Sequence, residues 1–538
     1  MTRPILLLAA LLAGGPARAE GLRVGAADTM VKVPRDGTGT LGAEALAAIR
    51  WGAPLRVELA RGELESAQLV IVAPPGKALE GVRVSVGPLV RQRAGGETRW
   101  PAEGLSLWRV GFVDAVNLWE PHEDLGWMPD PLLPLEGAFE VGAGTYQPVW
   151  LRLRATEGMA AGVYRGEVTV EARGAAAVRV PIRAVLWSFT VPKTQHFTLS
   201  IPTWGGQWAA MYPGAVTPQR WREYLDMLLE YRVSPFPLTE DAELPHCFAR
   251  GQREFCLNCF PTDSVPPDTT KKMRALADMW RRQPFAAQAT PYVLLGDEAP
   301  PQYYPLIREQ GRLVREAAPM VRRQFTISPE TATKGLEFGF KELAGAGDVA
   351  ILGAANCYAT HEQTLQARAA GFGLWWYYVA SHLYIPTRGL EVRQTFWRHW
   401  KYHVAGQLHW GMSYWGDANI AGKDGAKWPA VPWDTRSSRT GDGYLVYPAP
   451  GGTGVWPSIR LELMRDGLED YEYFHLLAEL TAALERSGSA RAAQVAANKR
   501  LLAVDDSLVK SYKEYAQQPA AYRTYRRRLA KAIMASQP

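Results

Sequence analysis

The residues best suited to chemistry are two adjacent acids in the stretch Gly296-Asp297-Glu298-Ala299-Pro300, which directly follows the apolar run Pro291-Tyr292-Val293-Leu294-Leu295. A carboxylic acid there can protonate a leaving oxygen, and a carboxylate can balance positive charge growing beside it. Neighbouring side chains in a regular strand point to opposite faces. Gly296 and Pro300 flank the pair and let the backbone leave β geometry, which would bring both carboxylates to one pocket. The same dipeptide also suits the start of a helix near Gln302, because acids favour that end of the helix dipole. From the pair alone the two readings stand level.

Adjacency discriminates between hydrolytic schemes. Two opposed carboxylates acting across a sugar ring need roughly 5–9 Å between them. Neighbouring acids suit an arrangement in which the sugar's own 2-acetamido oxygen attacks the anomeric carbon and closes an oxazoline. In that scheme Glu298 protonates the leaving oxygen and later activates water. Asp297 accepts a hydrogen bond from the acetamido N–H and balances its charge. Two like charges side by side also raise one pKa, which keeps the acid protonated.

Such a pair needs a scaffold, and the chain supplies an alternation of strand and helix after Pro192. Strands are expected at Phe197–Ile201, Val233–Phe236, Arg253–Phe255, Pro291–Leu295, Gln324–Ile327, Asp348–Leu352, Gly373–Tyr378 and Gln407–Trp410. Helical stretches such as Trp221–Leu229 lie between most of them. Eight strands alternating with helices over about 250 residues fit a (β/α)8 TIM-like barrel, whose reactive groups sit at the strand carboxyl ends. Asp297-Glu298 falls at the end of the fourth.

Upstream, short alternating runs such as Leu55–Leu59, Gln68–Val72, Val82–Val86, Val149–Leu153 and Tyr164–Val170 alternate with Gly and Pro turns. They predict an N-terminal β-sandwich with no helix. The stretch Leu125–Pro134 is too rich in proline for a strand and reads as an ordered loop. From Pro457 onward the pattern is helical. The expected organisation is a signal peptide over 1–19, a β-sandwich over 20–192, a catalytic barrel over 193–480 and C-terminal helices over 481–538 packed on the barrel. A chain of 538 residues exceeds a single core, so several domains are expected.

The amino-terminal segment has Arg3, an apolar run Ile5–Ala13 and an Ala17-Arg18-Ala19 site, the pattern of a cleavable secretory signal. The apolar run is shorter than the roughly 20 residues a membrane span takes, and no later stretch spans either. The expected location is the periplasm or the cell exterior. The formal charge of +6 is spread along the chain, which disfavours nucleic acid as a partner. Twenty Trp and 22 Tyr stand out. They serve core packing, and their flat faces also stack on sugar rings.

Of four cysteines, a disulfide among Cys247, Cys256 and Cys259 is expected outside the cytoplasm, closing a loop around Phe255. Zinc would want more ligands than these and His246. His361, His382 and His409 lack the spacing of a metal motif, so neither a metal nor a cofactor is expected.

Several stretches resemble glycoside hydrolase family 123. They are Ala60–Val70 and Pro129–Pro134, then Asp297-Glu298, Trp375-Trp376-Tyr377 and Gln407–Trp410. The most distinctive are C-terminal: Gly441–Pro448, Ser458–Glu462 and Arg465–Glu472. The resemblance implies a retaining β-N-acetylgalactosaminidase with Glu298 as acid/base and Asp297 as the acetamido stabiliser, acting on a glycan or glycoconjugate.

Around that pair, Trp204, Asn356, Tyr358 and Trp415 follow the first, sixth and eighth strands, at positions that line a barrel mouth. Tyr358 or Tyr377 would hold the acetamido carbonyl. Trp375 or Trp415 would wall the methyl group or floor the ring. Arg388 and Arg436 lie in loops from which they would contact an anionic substituent. The charges from Arg460 to Asp470 have helical spacing, which predicts pairs three and four apart that hold the last helix to the barrel. Two alternatives to the acetamido reading are a glycosidase of other sugar specificity and a non-catalytic glycan-binding surface protein.

Overall fold

The computed structural model describes residues 21–93, 96–115, 126–203, 217–238, 242–327, 336–353, 361–378, 383–413, 436–437, 441, 443–449, 454–488, 491–511 and 514–537. The expected signal segment, Cys357, His382 and the mouth candidates Trp204, Asn356, Tyr358 and Trp415 lie outside them. No described helix is long and apolar enough to cross a membrane.

Two seven-stranded sheets form the N-terminal part. One core cluster draws on both: Leu69, Ile71 and Leu151 come from the first, and Val57, Val168 and Ile182 from the second. The two sheets therefore share one apolar core, to which each contributes side chains from its strands. Two details depart from expectation. A helix, Gly39–Ala48, interrupts the strands. The proline-rich stretch is a strand, Gly126–Pro134, paired antiparallel with Leu105–Ala115. Among the described residues its one ladder is with that strand, beside an isolated bridge from Pro131 to Ser458. A strand at the edge of its sheet tolerates prolines because their missing N–H breaks no ladder bond on the open side.

The eight expected barrel strands all form. They are β1 (Thr198–Pro202), β2 (Val233–Phe236), β3 (Glu254–Cys259), β4 (Thr290–Leu294), β5 (Arg322–Ile327), β6 (Val349–Gly353), β7 (Gly373–Tyr378) and β8 (Gly406–His409). All ladders between them are parallel, in the order β2-β1-β8-β7-β6-β5-β4-β3. The sheet is a nearly closed barrel, with β2 and β3 side by side but without a ladder. Alternation along β7 sorts its side chains. Trp375 and Tyr377 face the interior with Tyr292, Ile351 and Leu408. Trp376 faces outward, against the helices.

Among the described helices, three join the parts of the fold: α1 (Gly389–Lys401), α2 (Ile459–Arg486) and α3 (Pro519–Ser536). Ser458 starts α2 by accepting a hydrogen bond from Leu461 N. The pairs three and four apart exist, Arg465 with Glu462 and with Glu469. They are the smaller part of the picture, because the charged face of α2 is buried. Arg393 of α1 pairs with Asp466 and Asp470 of α2 and with Glu65 of the first sheet. Arg526 of α3 pairs with Asp470 and with Glu63, in the turn before strand Leu64–Val72 of that sheet. Helices α1, α2 and α3 thus knit the N-terminal sheets to the barrel.

A second buried pair organises the loops at the barrel's carboxyl end. Arg460 donates to Asp130 of Gly126–Pro134 at 2.9 and 2.8 Å, and neither residue reaches solvent. Its remaining N–H groups reach the carbonyls of Leu383, Gly441 and Tyr444. Leu383 follows β7, and the other two follow β8. Tyr447 donates to the same aspartate at 2.6 Å. A further link runs from the segment after β8, where Arg436–Ser437 pairs in parallel with Asp114–Ala115 of the first sheet.

Candidate active site

Gly296 and Glu298 both adopt left-handed backbone conformations, with φ of 43° and 44°. Glycine suits position 296, since its φ is one that residues with side chains seldom adopt and a Cβ there would lie 2.3 Å from Ile307 Cδ1 and 3.4 Å from Thr262 Cα. At Glu298, a residue with a side chain holds a conformation that such residues seldom adopt, a form of local strain that clusters at functional sites. The turn breaks strand alternation directly after β4. Side-chain capping does not explain the pair, because neither the 3-10 turn Pro301–Tyr303 nor the helix Tyr304–Ala317 that follows it has a side-chain cap bond.

Two threonines from neighbouring strand ends hold this turn. Thr326 on β5 donates to Asp297 Oδ1 at 3.0 Å and accepts from Glu298 N. Thr262, just past β3, accepts from Asp297 N and donates to Asp297 O, both at 2.8 Å. The Thr262 loop is itself held, since buried Gln310 donates to Pro261 O and Ser264 O at 2.7 and 2.8 Å. The acidic turn is therefore braced from both sides and from the helix beneath. Thr262, Thr326 and Gln310 carry no sequence signal of this role, because each acts through a neighbour far away in the chain.

Both carboxyls have raised pKa values. The surrounding protein desolvates the Asp297 carboxyl and pushes it up, against the Thr326 hydrogen bond, which lowers it. For Glu298, desolvation comes first and the Asp297 charge adds to it. The environment thus favours a protonated acid beside a second carboxyl.

Among the other candidates, the structure brings Tyr377 toward the mouth and not Trp375. Tyr377 is inward-facing and level with Leu408 and Gly353, the last residue of β6. Trp375 is 1% exposed. It lies level with Gly406 at the start of β8, and the guanidinium of Arg322 at the start of β5 is 5.9 Å from its ring. That is the amino end of the barrel, so Trp375 packs the interior and does not floor a sugar. Two steps beyond Leu408, the half-buried Trp410 joins the interior cluster with Cys259 and Leu294 at the carboxyl end. This mouth aromatic was passed over in favour of Trp415.

Arg388 is engaged by Glu44 of the helix Gly39–Ala48, which accounts for its charge without a ligand. The expected disulfide around Phe255 does not form. Cys247 lies in the outer core and Cys256 in the barrel interior, on opposite faces of β3. Cys256 and Cys259 are thiols, with sulfurs 3.8 Å apart.

Residues 292–477 match the family model "Glycoside hydrolase 123, catalytic domain", a span that runs from β4 through most of α2 and includes Asp297-Glu298. Residues 292–477 form a family 123 glycoside hydrolase catalytic domain. The fold agrees over nearly the whole chain. A family 123 glycoside hydrolase from Clostridium perfringens, whose structure was described for glycolipid glycan hydrolysis, superposes with a TM-score of 0.63. It is 11% identical, and the match covers 96% of this chain and 98% of that one. At that identity the likeness establishes the shared fold. A β-glucuronidase from Bacteroides uniformis matches with a TM-score of 0.29 at 13% identity, over 79% of this chain and 48% of its own, which carries no argument. No curated protein matches the chain in sequence. The family 123 domain makes this a glycosidase, with glycans as its substrates.

Proposed function

We propose that this family 123 domain is a retaining glycosidase for β-linked 2-acetamido sugars, with β-N-acetylgalactosaminides as its substrates, working by substrate assistance. The observation that carries the reading is the left-handed turn at Gly296–Glu298, which presents two adjacent carboxyls together at the end of β4. In the first step the acetamido oxygen attacks the anomeric carbon. The bond to the leaving oxygen breaks, and the Glu298 carboxyl gives that oxygen its proton. The Asp297 carboxylate accepts the acetamido N–H and offsets the positive charge of the oxazolinium ring. In the second step water attacks the anomeric carbon, Glu298 takes its proton, and the ring reopens with retained configuration. Tyr377 stands toward the mouth as a hydroxyl for the acetamido carbonyl. The pattern of residues 1–19 supports export to the periplasm or beyond, with cleavage after Ala19.

The test compares hydrolysis of aryl β-N-acetylgalactosaminide, aryl β-N-acetylglucosaminide and plain aryl β-galactoside. The first should be turned over fastest and the last not at all, since it has no acetamido nucleophile. Hydrolysis of the plain galactoside would refute substrate assistance.

Two further results are expected. The pH profile of kcat/KM should be bell-shaped, with its alkaline limb reporting loss of the proton from Glu298. The Asp297 charge raises the Glu298 pKa, so Asp297→Asn should move that limb to lower pH, in addition to slowing oxazoline formation. A limb that stays in place would separate the two groups. Thr326→Val removes both the donor to Asp297 and the acceptor for Glu298 N. It should lower kcat by about 10- to 100-fold with KM little changed, the scale of a misplaced reacting group, and Thr326→Ser should restore it.

A further inference from the structure

A cavity of about 360 Å3 opens in the N-terminal sheets, where the segment before helix Gly39–Ala48 meets strand Leu105–Ala115 and the turn before Tyr146–Arg154. Its volume lies within the roughly 300–1,000 Å3 of small-molecule sites. Arg35, Asp36, Arg109, Glu140, Tyr146 and Gln147 line it.

The two guanidiniums are pre-set on aromatic faces. Arg35 lies over Trp127 at 4.0 Å, its backbone N–H bonded to Trp127 O and its carbonyl to Tyr146 N. Arg109 lies over Phe139 at 4.9 Å and donates from Nε to Gln147 Oε1 at 3.1 Å. Gln147 is buried, and its amide nitrogen is anchored on Val110 O and Pro148 O at 2.8 and 2.9 Å. Among the described residues no side chain or carbonyl accepts a hydrogen bond from the Arg35 guanidinium. Burial also holds both arginines below their usual pKa, as expected where the wall is partly dry.

A rigid guanidinium offers paired donors that match two neighbouring oxygens. Exposed Asp36 and Glu140 supply acceptors on the same rim, and the half-buried Tyr146 ring supplies a flat apolar face. Paired donors, carboxylate acceptors and an aromatic face are what the vicinal hydroxyls and C–H face of a sugar ring require. The two positive and two negative groups cancel, which favours a neutral polyol over an anion. The wall strand also points toward the barrel. Two residues beyond Phe112 it pairs at Asp114–Ala115 with Arg436–Ser437, from the segment after β8.

We propose that this cavity is a non-catalytic binding site for a neutral oligosaccharide, holding a part of the glycan away from the bond that is cut. The inference stands on the cavity's own chemistry and rests on the proposed reaction only for the sugar at the chain end.

Full-length protein carrying Glu298→Gln is titrated calorimetrically with a neutral oligosaccharide ending in β-N-acetylgalactosamine, and with the same chain bearing sulfate. Arg35→Ala and Arg109→Gln are then added singly. Each should weaken binding of the neutral chain by about tenfold or more. In protein with Glu298 intact, both should leave hydrolysis of the aryl monosaccharide unchanged. Arg35→Ala leaves no protein acceptor unpaired, so it reads the site even if Arg109→Gln fails to fold. Unchanged affinity in a folded Arg35→Ala protein would overturn the proposal, as would binding confined to the sulfated chain. Binding lost with Arg35→Ala in a protein that hydrolyses no aryl glycoside would sink the proposed reaction and leave this site standing.

Discussion

Glu298→Gln should lower kcat/KM by about 10²- to 10⁴-fold on natural glycosides, whose leaving alcohol needs a proton to depart. The amide keeps the side chain's size and can still donate a hydrogen bond, but it cannot release a proton. The loss should shrink on aryl glycosides with acidic phenols, because such leaving groups depart without protonation. For those substrates the second step should become limiting, since Gln cannot take a proton from water. A steady-state comparison of an alkyl and a nitrophenyl β-N-acetylgalactosaminide measures the difference directly. Equal losses on both would mean that Glu298 is not the proton donor. Because Glu298 is partly solvent-accessible and its backbone N–H is held by Thr326, the variant should keep its fold and melting temperature.

Arg460→Met is the second large effect expected, on stability. The change leaves the Asp130 carboxylate buried with Tyr447 as its remaining donor, and strips the carbonyls of Leu383, Gly441 and Tyr444 of a partner. Removing one member of a buried ion pair costs about 3–5 kcal/mol, most of it from the charge left behind. The thermal midpoint should fall clearly at a fixed scan rate. Replacing both members, Asp130→Leu with Arg460→Met, should recover part of the loss, since no carboxylate is then left without its guanidinium. The cost that remains is the Asp130 charge lost to buried Lys32. If the double variant is no better than the single one, the carbonyl contacts carry the stabilisation, not the pair. Those carbonyls belong to the loops after β7 and β8, so the single variant should also lose turnover at temperatures where it remains folded.

The Arg460 to Asp470 charges show how far a linear reading goes. Their spacing correctly predicted a helix and its internal pairs. It also predicted that these charges hold the helix to the barrel, and the structure instead buries them between α1, α3 and the first sheet. Helical periodicity reports which residues share a side of the helix. What that side meets depends on chain segments hundreds of residues away, such as Glu65 and Asp130. The prolines of Gly126–Pro134 failed as a strand signal for the same reason. Whether a missing N–H is costly depends on whether the strand is an edge, and pairing decides that.

For the candidate site, sequence alone determined the eight parallel strands, the acidic pair at the end of the fourth and the glycine that lets the chain turn there. These follow from local patterns: alternation, strand length and the φ that glycine permits. The tertiary structure decided the rest. It excluded the capping role and placed Tyr377 toward the mouth and Trp375 at the opposite end. It added Thr262 and Thr326, the hydroxyls that orient the acidic turn. A strand's side chains are assigned to inside or outside by local alternation, but their height in the barrel is set by stagger between strands. Stagger and hydrogen bonds between strand ends arise only when distant segments meet.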